Sequence, residues 1–418
     1  MPIAGYLMND TSTTENLIIF FIPEKKLVNG GIISIFSLCK ESRSYFAIHK
    51  SSVIICTYPG GETYGKNDLF NNDEKIFSFE EVKIKYPSLK RLIIHIPEYI
   101  TTEMYPRLIS QIDYLSRVEH IQINILNQNI QMMPPLSTIA SLYAITKYIT
   151  QTTAHIRYCT QEIADYYCIP THLLSVAIDK KNYIHLEFSK KKNQIVISPD
   201  YHPKKKQVIS RIKRELPSYE IIEVSGMKYE EYKKLIAESK FTITFGEGFD
   251  GYYIESIFSN TLAFAVYNED FFPSEDYLNL DNIYKSYKSL SEEIVKTIKK
   301  NESSAQYEKI VNDNCIKLEK IYDHNRYLKN IKQFYQSKYT YVPGDDSIIN
   351  FLNNVTIESN KANLENINKI NELQLSLAES EELSRLMSAN ISDMLNSRSW
   401  KITRPLRAVS QGIKEFKL

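Results

Sequence analysis

FTITFGEGFDGYYIESIFSNTLAFAV, residues 241–266, is the stretch whose reading decides the fold. Residues 241–245 are β-branched and aromatic. Gly246, Gly248 and Gly251 punctuate a turn, residues 252–259 suit two turns of helix with Asn260 at its C-cap, and residues 261–266 are apolar again. That order predicts a strand, a Gly-rich loop, a short helix and a second strand. Glycines let a backbone come close to a ligand, and the first N–H groups of a helix favour an anion. Glu247 stands where the strand ends and Glu255 in the expected first turn of the helix, with seven residues between them. The pattern predicts a phosphate at the helix start, an acid to either side, and Tyr252 as a further contact. It also fits a plain glycine turn between two core elements.

Outward from this stretch, 418 residues are enough for two or three domains with sizeable cores. Fifty-one basic against fifty acidic side chains leave a formal charge of +1, so no global field recruits nucleic acid or an acidic membrane. Cys39, Cys56, Cys159, Cys168 and Cys315 form no CxxC pair and read as reduced core thiols of a cytoplasmic protein. The first apolar run, residues 17–22, is six residues long, against about 20 for a membrane span. It reads as a buried parallel strand.

Residues 51–57, 90–96 and 121–126 continue as strands, and residues 32–44, 105–117 and 138–149 have helical spacing. A strand ending at residues 178–179 follows a helix near residues 161–167. Lysines crowd residues 180–193 and read as a solvated surface at a domain boundary. A second series then begins, with strands at residues 194–198 and 220–224 and helices at residues 204–215 and 229–239. Strands alternating with helices imply parallel sheets covered by helices, here two Rossmann-like α/β domains facing a cleft. Gly30 and Gly31, between the first strand and first helix, are candidates to face that cleft, as is His155. Lys204, Lys205 and Lys206 open the helix after the second domain's first strand. By themselves they also fit a solvated helix face. The aromatic run of residues 267–273 closes over a ligand or covers the core. Ser289 and Glu292 form a capping box that predicts a helix over residues 290–299, with a further helical stretch over residues 304–335. Residues 347–395 contain no Gly or Pro and carry an apolar stripe through Leu364, Ile367, Ile370, Leu373, Leu377, Leu383, Met387, Ile391 and Met394, which predicts an oligomerising coiled coil and also fits a helix packed on its own protein.

Glu247-Gly-Phe-Asp-Gly-Tyr-Tyr-Ile-Glu255, after a strand of the second domain, resembles the Glu-x7-Glu motif of retaining glycosyltransferases with the GT-B fold, glycosyltransferase family 4 in particular. The tail from Ser397 to Arg407, SRSWKITRPLR, resembles the S-x-S-W-[RK]-x-T-x-P-L-R ending of bacterial surface-polysaccharide glycosyltransferases. The resemblance implies an acceptor domain over residues 1–185, a nucleotide-sugar donor domain over 186–340 with helices that return to the first domain, a coiled coil over 347–395, and a basic tail with Trp400 over 396–418. It implies that Glu255 holds the donor ribose. Glu247 as a catalytic group, with the Gly248–Gly251 loop, would hold the sugar and diphosphate, and a lysine among Lys204, Lys205 and Lys206, Lys205 by choice, the diphosphate leaving group. The donor would be a nucleotide diphosphate sugar and the acceptor a lipid-linked or polysaccharide glycan such as O-antigen or capsule. No metal is implied, because no Asp-x-Asp ends a strand. The tail would touch a membrane peripherally or a protein partner. Ser198-Pro199-Asp200 stands where that family carries a Gly and Arg/Lys-rich start. Two other readings fit: a non-catalytic partner of a polysaccharide assembly complex, and a nucleotide-sugar epimerase.

Overall fold

The computed structural model describes residues 15–176 and 178–396. Its first sheet is built from β1 (Asn16–Ile22), β2 (Ser52–Thr57), β3 (Ile76–Phe77), β4 (Arg91–Pro97), β5 (His120–Asn127), β6 (Tyr148–Thr153) and β7 (Thr171–Leu173). These lie in the order β3-β2-β1-β4-β5-β6-β7, and every neighbouring pair is parallel. From Leu17 to Ile22 every side chain of β1 is buried, as a central strand covered on both faces requires. Strand order reverses between β1 and β4, which sets a ligand crevice beyond their carboxyl ends.

The second sheet comprises β8 (Lys192–Ile197), β9 (Glu220–Glu223), β10 (Ser239–Ile243), β11 (Leu262–Val266) and β12 (Ile283–Tyr284), in the parallel order β12-β11-β10-β8-β9. Here the reversal falls between β8 and β10, so the crevice opens where Ser198–Asp200 and Gly246–Glu247 leave their strands. The helix His324–Tyr335 packs on the first lobe. Its Tyr327, Ile331, Phe334 and Tyr335 join that lobe's core, Tyr335 donates to Ser42 Oγ, and His172 Nε2 donates to the Asn330 carbonyl.

Several elements differ from expectation. The helix expected over residues 138–149 stops at Leu142, and β6 begins at Tyr148, where a β-branched run takes over. The strand expected to end at residues 178–179 is the short β7 instead. Residues 105–117 divide between helices Thr101–Ile109 and Ile112–Leu115. The helix expected from residue 290 starts at Tyr287, because Ser286 and Ser289 make the capping box. The stretch over residues 304–335 divides into Ser304–Ile321 and His324–Tyr335, the second capped by Asp323.

The lysine run of residues 180–193 is not solvated throughout. Lys191 is buried, and its ammonium donates to the Ala237 carbonyl at 2.7 Å, the Ser259 carbonyl at 3.3 Å and Thr261 Oγ1 at 2.8 Å. It pins the ends of two helices to the start of β11.

A 50-residue helix, Ser347–Asn396, follows the second lobe. Residues up to Leu352 belong to the two-lobed unit, and those from Asn353 form a unit of their own. Within that second unit Leu364, Ile367, Ile370, Leu373, Leu377 and Met387 are exposed. The side chains of Leu383, Ile391 and Met394, and the whole tail from Ser397 to Arg407, lie outside the described residues.

Replacing Lys191 by Met keeps the apolar stem and leaves two carbonyls and a hydroxyl without their donor. Urea denaturation of K191M is expected to show a loss of about 2–3 kcal/mol. A loss below about 0.5 kcal/mol contradicts the pinning role.

Candidate active site at the seam between the lobes

The helix Gly251–Phe258 begins where its sequence says it should, but its start is already occupied. Asp250 is the N-cap: its Oδ1 accepts from Tyr253 N at 3.0 Å and its Oδ2 from Thr244 Oγ1 at 2.8 Å. The anion at the helix start is therefore the chain's own carboxylate. Glu255 lies beyond the first turn, is buried, and its Oε1 accepts from Tyr229 OH at 2.7 Å and Tyr183 OH at 3.1 Å. Tyr183 also lines a groove of about 660 Å³ with Lys180, Lys181 and His324.

Glu247 faces the first lobe. Its Oε1 accepts from Asn129 Nδ2 at 2.8 Å, and Asn129 sits in the loop after β5. The adjacent Gln128 packs against Gly31, where an added Cβ would stand 2.6 Å from Gln128 Oε1. Gly30 and Gly31 open the helix Gly30–Arg43, whose N-cap is Asn29, and no atom lies near a Cβ built on Gly30. Asn129 N also donates to Glu98 Oε1 at 3.0 Å, just past β4. Further contacts close the seam. Asp270 accepts from Tyr158 OH at 3.0 Å and Gln131 Nε2 at 2.6 Å, and His155 stands edge-on to Phe271 with ring centroids 5.6 Å apart. Asn71 N donates to Glu230 Oε1 at 3.1 Å. The aromatic run after β11 thus does two things: Phe271 and Phe272 are buried, and Asp270 meets the first lobe.

The glycines have separate reasons. Gly246 has φ +82° and lies against Asp200, with an added Cβ 3.3 Å from Asp200 Cβ. Gly248 has φ +78°, and an added Cβ would fall 2.4 Å from the Val266 carbonyl oxygen. Its close approach is to β11. A Cβ on Gly251 meets only ordinary contacts with Glu255. Tyr252 packs edge-on to Tyr232 of the helix Tyr229–Glu238, centroids 5.5 Å apart.

Lys205 does not present its ammonium to a diphosphate. It is buried and donates to the Ser198 carbonyl at 2.7 Å, the Asp200 carbonyl at 3.2 Å and Glu223 Oε1 at 2.5 Å. Carbonyls past the end of β8 have left the sheet ladder, and this ammonium satisfies them. Lys204, one residue earlier, is half-buried at the helix's N-cap, and no acceptor among the described residues holds its ammonium. Lys206 is exposed.

Acids gather here. Burial first, then the neighbouring Asp250 and Asp200 charges, push the Glu247 carboxyl up to about 7. Burial and Asp200 do the same for Asp250, and burial raises Glu98 and Glu255 to about 7. Asp200 Oδ2 and Glu98 Oε2 are shielded from solvent without a hydrogen-bond partner among the described residues. Sequence reasoning missed Asn129, Glu98, Tyr183 and Tyr229, and gave Asp250 no role, although an Asp just before a helix is a capping signal.

No protein-family model matches the sequence, and no curated protein matches it. Solved structures do share its architecture. Sucrose-phosphate synthase from Thermosynechococcus elongatus superposes with a TM-score of 0.50 at 9% identity, over 77% of this chain and 98% of that one. HepE from Anabaena in complex with UDP-glucose gives 0.49 at 9% identity, over 77% and 99%. A UDP-N-acetylglucosamine 2-epimerase gives 0.43 at 9% identity, over 79% and 98%. What is shared is the fold: two Rossmann-like lobes in the GT-B arrangement, followed here by a long C-terminal helix.

The raised Glu247 carboxyl makes stability depend on pH. A carboxyl whose folded pKa exceeds its unfolded value contributes stability that is fully present below about 4.3 and is lost as pH rises through about 7. Glu247→Gln, which cannot ionise, is expected to gain about 1 kcal/mol over the parent at pH 8 and nothing at pH 4.5, by urea denaturation at both pH values. Equal effects at the two pH values contradict the assignment.

Proposed function

We propose that this chain is a glycosyltransferase that moves a sugar, with retention, from a nucleotide diphosphate sugar to a bacterial surface glycan such as O-antigen or capsule. The observation that carries the reading is Glu247, held between the lobes by Asn129, at the crevice of the second sheet and with a carboxyl near neutrality. The donor would lie between residues 198–206 and 246–256. Lys204, with its unheld ammonium, takes the leaving-group role expected of Lys205. The hydroxyls of Tyr183 and Tyr229 donate to Glu255 as the vicinal diol of a ribose would, so the ribose replaces them on binding.

In the reaction the acceptor oxygen bonds to the sugar's anomeric carbon as the bond to the diphosphate oxygen breaks. The electron pair leaves with the diphosphate. The acceptor proton passes to a departing phosphate oxygen, and Glu247 orients the sugar. Catalysis is positional and electrostatic. The resemblance of residues 397–407 supports the surface-glycan acceptor and a peripheral contact with a membrane or partner. The exposed stripe of the second unit supports self-association through residues 347–395.

A second reading, a non-catalytic partner of a glycan assembly complex, is favoured by two facts. Asp250 already fills the helix start, and Lys205 is already paired. Glycan synthesis in strains carrying point variants separates the two. In the transferase reading Glu255→Ala abolishes transfer and donor binding. Glu247→Gln lowers kcat by about 100-fold or more with KM little changed. Normal glycan in both strains, with loss on deleting residues 347–418, overturns the transferase reading in favour of the partner. Turnover of nucleotide sugar by the purified protein without acceptor overturns it in favour of an epimerase.

A further inference from the structure

At the opposite edge of the first sheet the first residues of three adjacent strands meet. Arg91 opens β4, His120 opens β5 and Tyr148 opens β6. With Lys147, Tyr143 and Tyr339 they line a cavity of about 680 Å³, within the size range of small-molecule sites. β5 runs from here to the Asn129 loop, so the cavity lies roughly 23 Å along the strand from the interlobe seam.

Its charge is one-sided. No Asp or Glu among the described residues lines it. Arg91 and Lys147 form no ion pair among the described residues, and Arg91 Nε is shielded from solvent with no hydrogen-bond partner. The nearest acid in sequence, Glu119, is exposed outside the lining, and neighbouring Lys90 is paired with Glu15. The His120 imidazole is held below its ordinary range by burial, then by the Arg91 and Lys147 charges. Positive groups gathered without a counter-charge repel one another, and a bound anion removes that cost.

The walls are aromatic. His120 lies over Tyr148 with centroids 4.3 Å apart, and Lys147 Nζ stands 5.2 Å from the same ring. Tyr143 and Tyr148 remain exposed. Gln122 Nε2 donates to Tyr339 OH at 3.1 Å, which fixes one wall.

We propose that this cavity is a second binding site, for a small phosphomonoester on a ring, its phosphate against Arg91 and Lys147 and its ring against Tyr143 and Tyr148. The site is independent of the transfer reaction proposed for the seam. A sugar phosphate and a nucleoside monophosphate share this chemistry, and the experiment separates them.

Calorimetric titration of the full chain with glucose 6-phosphate, uridine 5′-monophosphate and inorganic phosphate, at low salt, tests it. At least one of the two ring-bearing probes is expected to bind with Kd below about 1 mM, and more tightly than inorganic phosphate. Which of them binds names the source. Lys147→Gln and Tyr148→Ala change exposed side chains, and each is expected to weaken that binding about tenfold or more. Glu255→Ala is expected to leave it unchanged. No binding of either ring-bearing probe up to about 10 mM overturns the proposal. So does binding that Lys147→Gln leaves intact, or that Glu255→Ala removes, which would place the ligand at the seam. Inorganic phosphate binding as tightly as both ring-bearing probes overturns it as well.

Discussion

One hydrogen bond, from Asn129 Nδ2 to Glu247 Oε1, joins the carboxyl edges of the two sheets. Both residues stand at the ends of strands that the topology places beside a crevice. The loop after β5 supplies the donor and the loop after β10 the acceptor. Around this bond the seam is ordered by a short set of polar pairs and one edge-on aromatic contact, with the large cores kept on either side. Such a boundary separates at modest cost compared with a lobe's own core, which is what a ligand entering between two lobes requires.

The acids at the seam set a condition on the proposed donor. Asp200, Glu247 and Asp250 lie close together, and burial with the neighbouring charges raises the Glu247 and Asp250 carboxyls. Together they repel a diphosphate when ionised. With carboxyl groups near 7, Glu247 and Asp250 keep their protons part of the time at neutral pH, and a proton taken up on binding removes the repulsion. Lys205 does not offset it toward the cleft, because its charge is spent on Glu223 and two carbonyls. Lys204, half-buried at the N-cap of its helix, is a cation the second lobe has there for an anion, whereas the Gly246 N–H is already donated to Tyr287 OH.

The sheets were legible because buried parallel strands favour apolar and β-branched residues, so residues 17–22, all apolar, and 241–245, β-branched and aromatic, stand out in the chain. β3 and β12 are two residues each and carry no readable period. The turn over residues 246–251 was legible as a turn from its glycines, but not what Gly246 and Gly248 make room for. Gly248 yields to the Val266 carbonyl and Gly31 to Gln128, and both partners are set by tertiary packing. The partners of the two acids were hidden for the same reason. Asn129 is 118 residues from Glu247, and Tyr183 is 72 from Glu255. Which lysine of residues 204–206 turns inward depends on the phase at which the helix leaves β8, and the phase put Lys205 under the strand's free carbonyls.

The central claim is that a nucleotide diphosphate binds in the crevice bounded by residues 198–206 and 246–256. Hydrogen–deuterium exchange of the full chain, with and without uridine, guanosine and thymidine diphosphates, addresses it directly. The account predicts that at least one of them protects peptides covering both segments and the Asn129 loop. No protection by any of the three, or protection that leaves both segments unchanged, contradicts it.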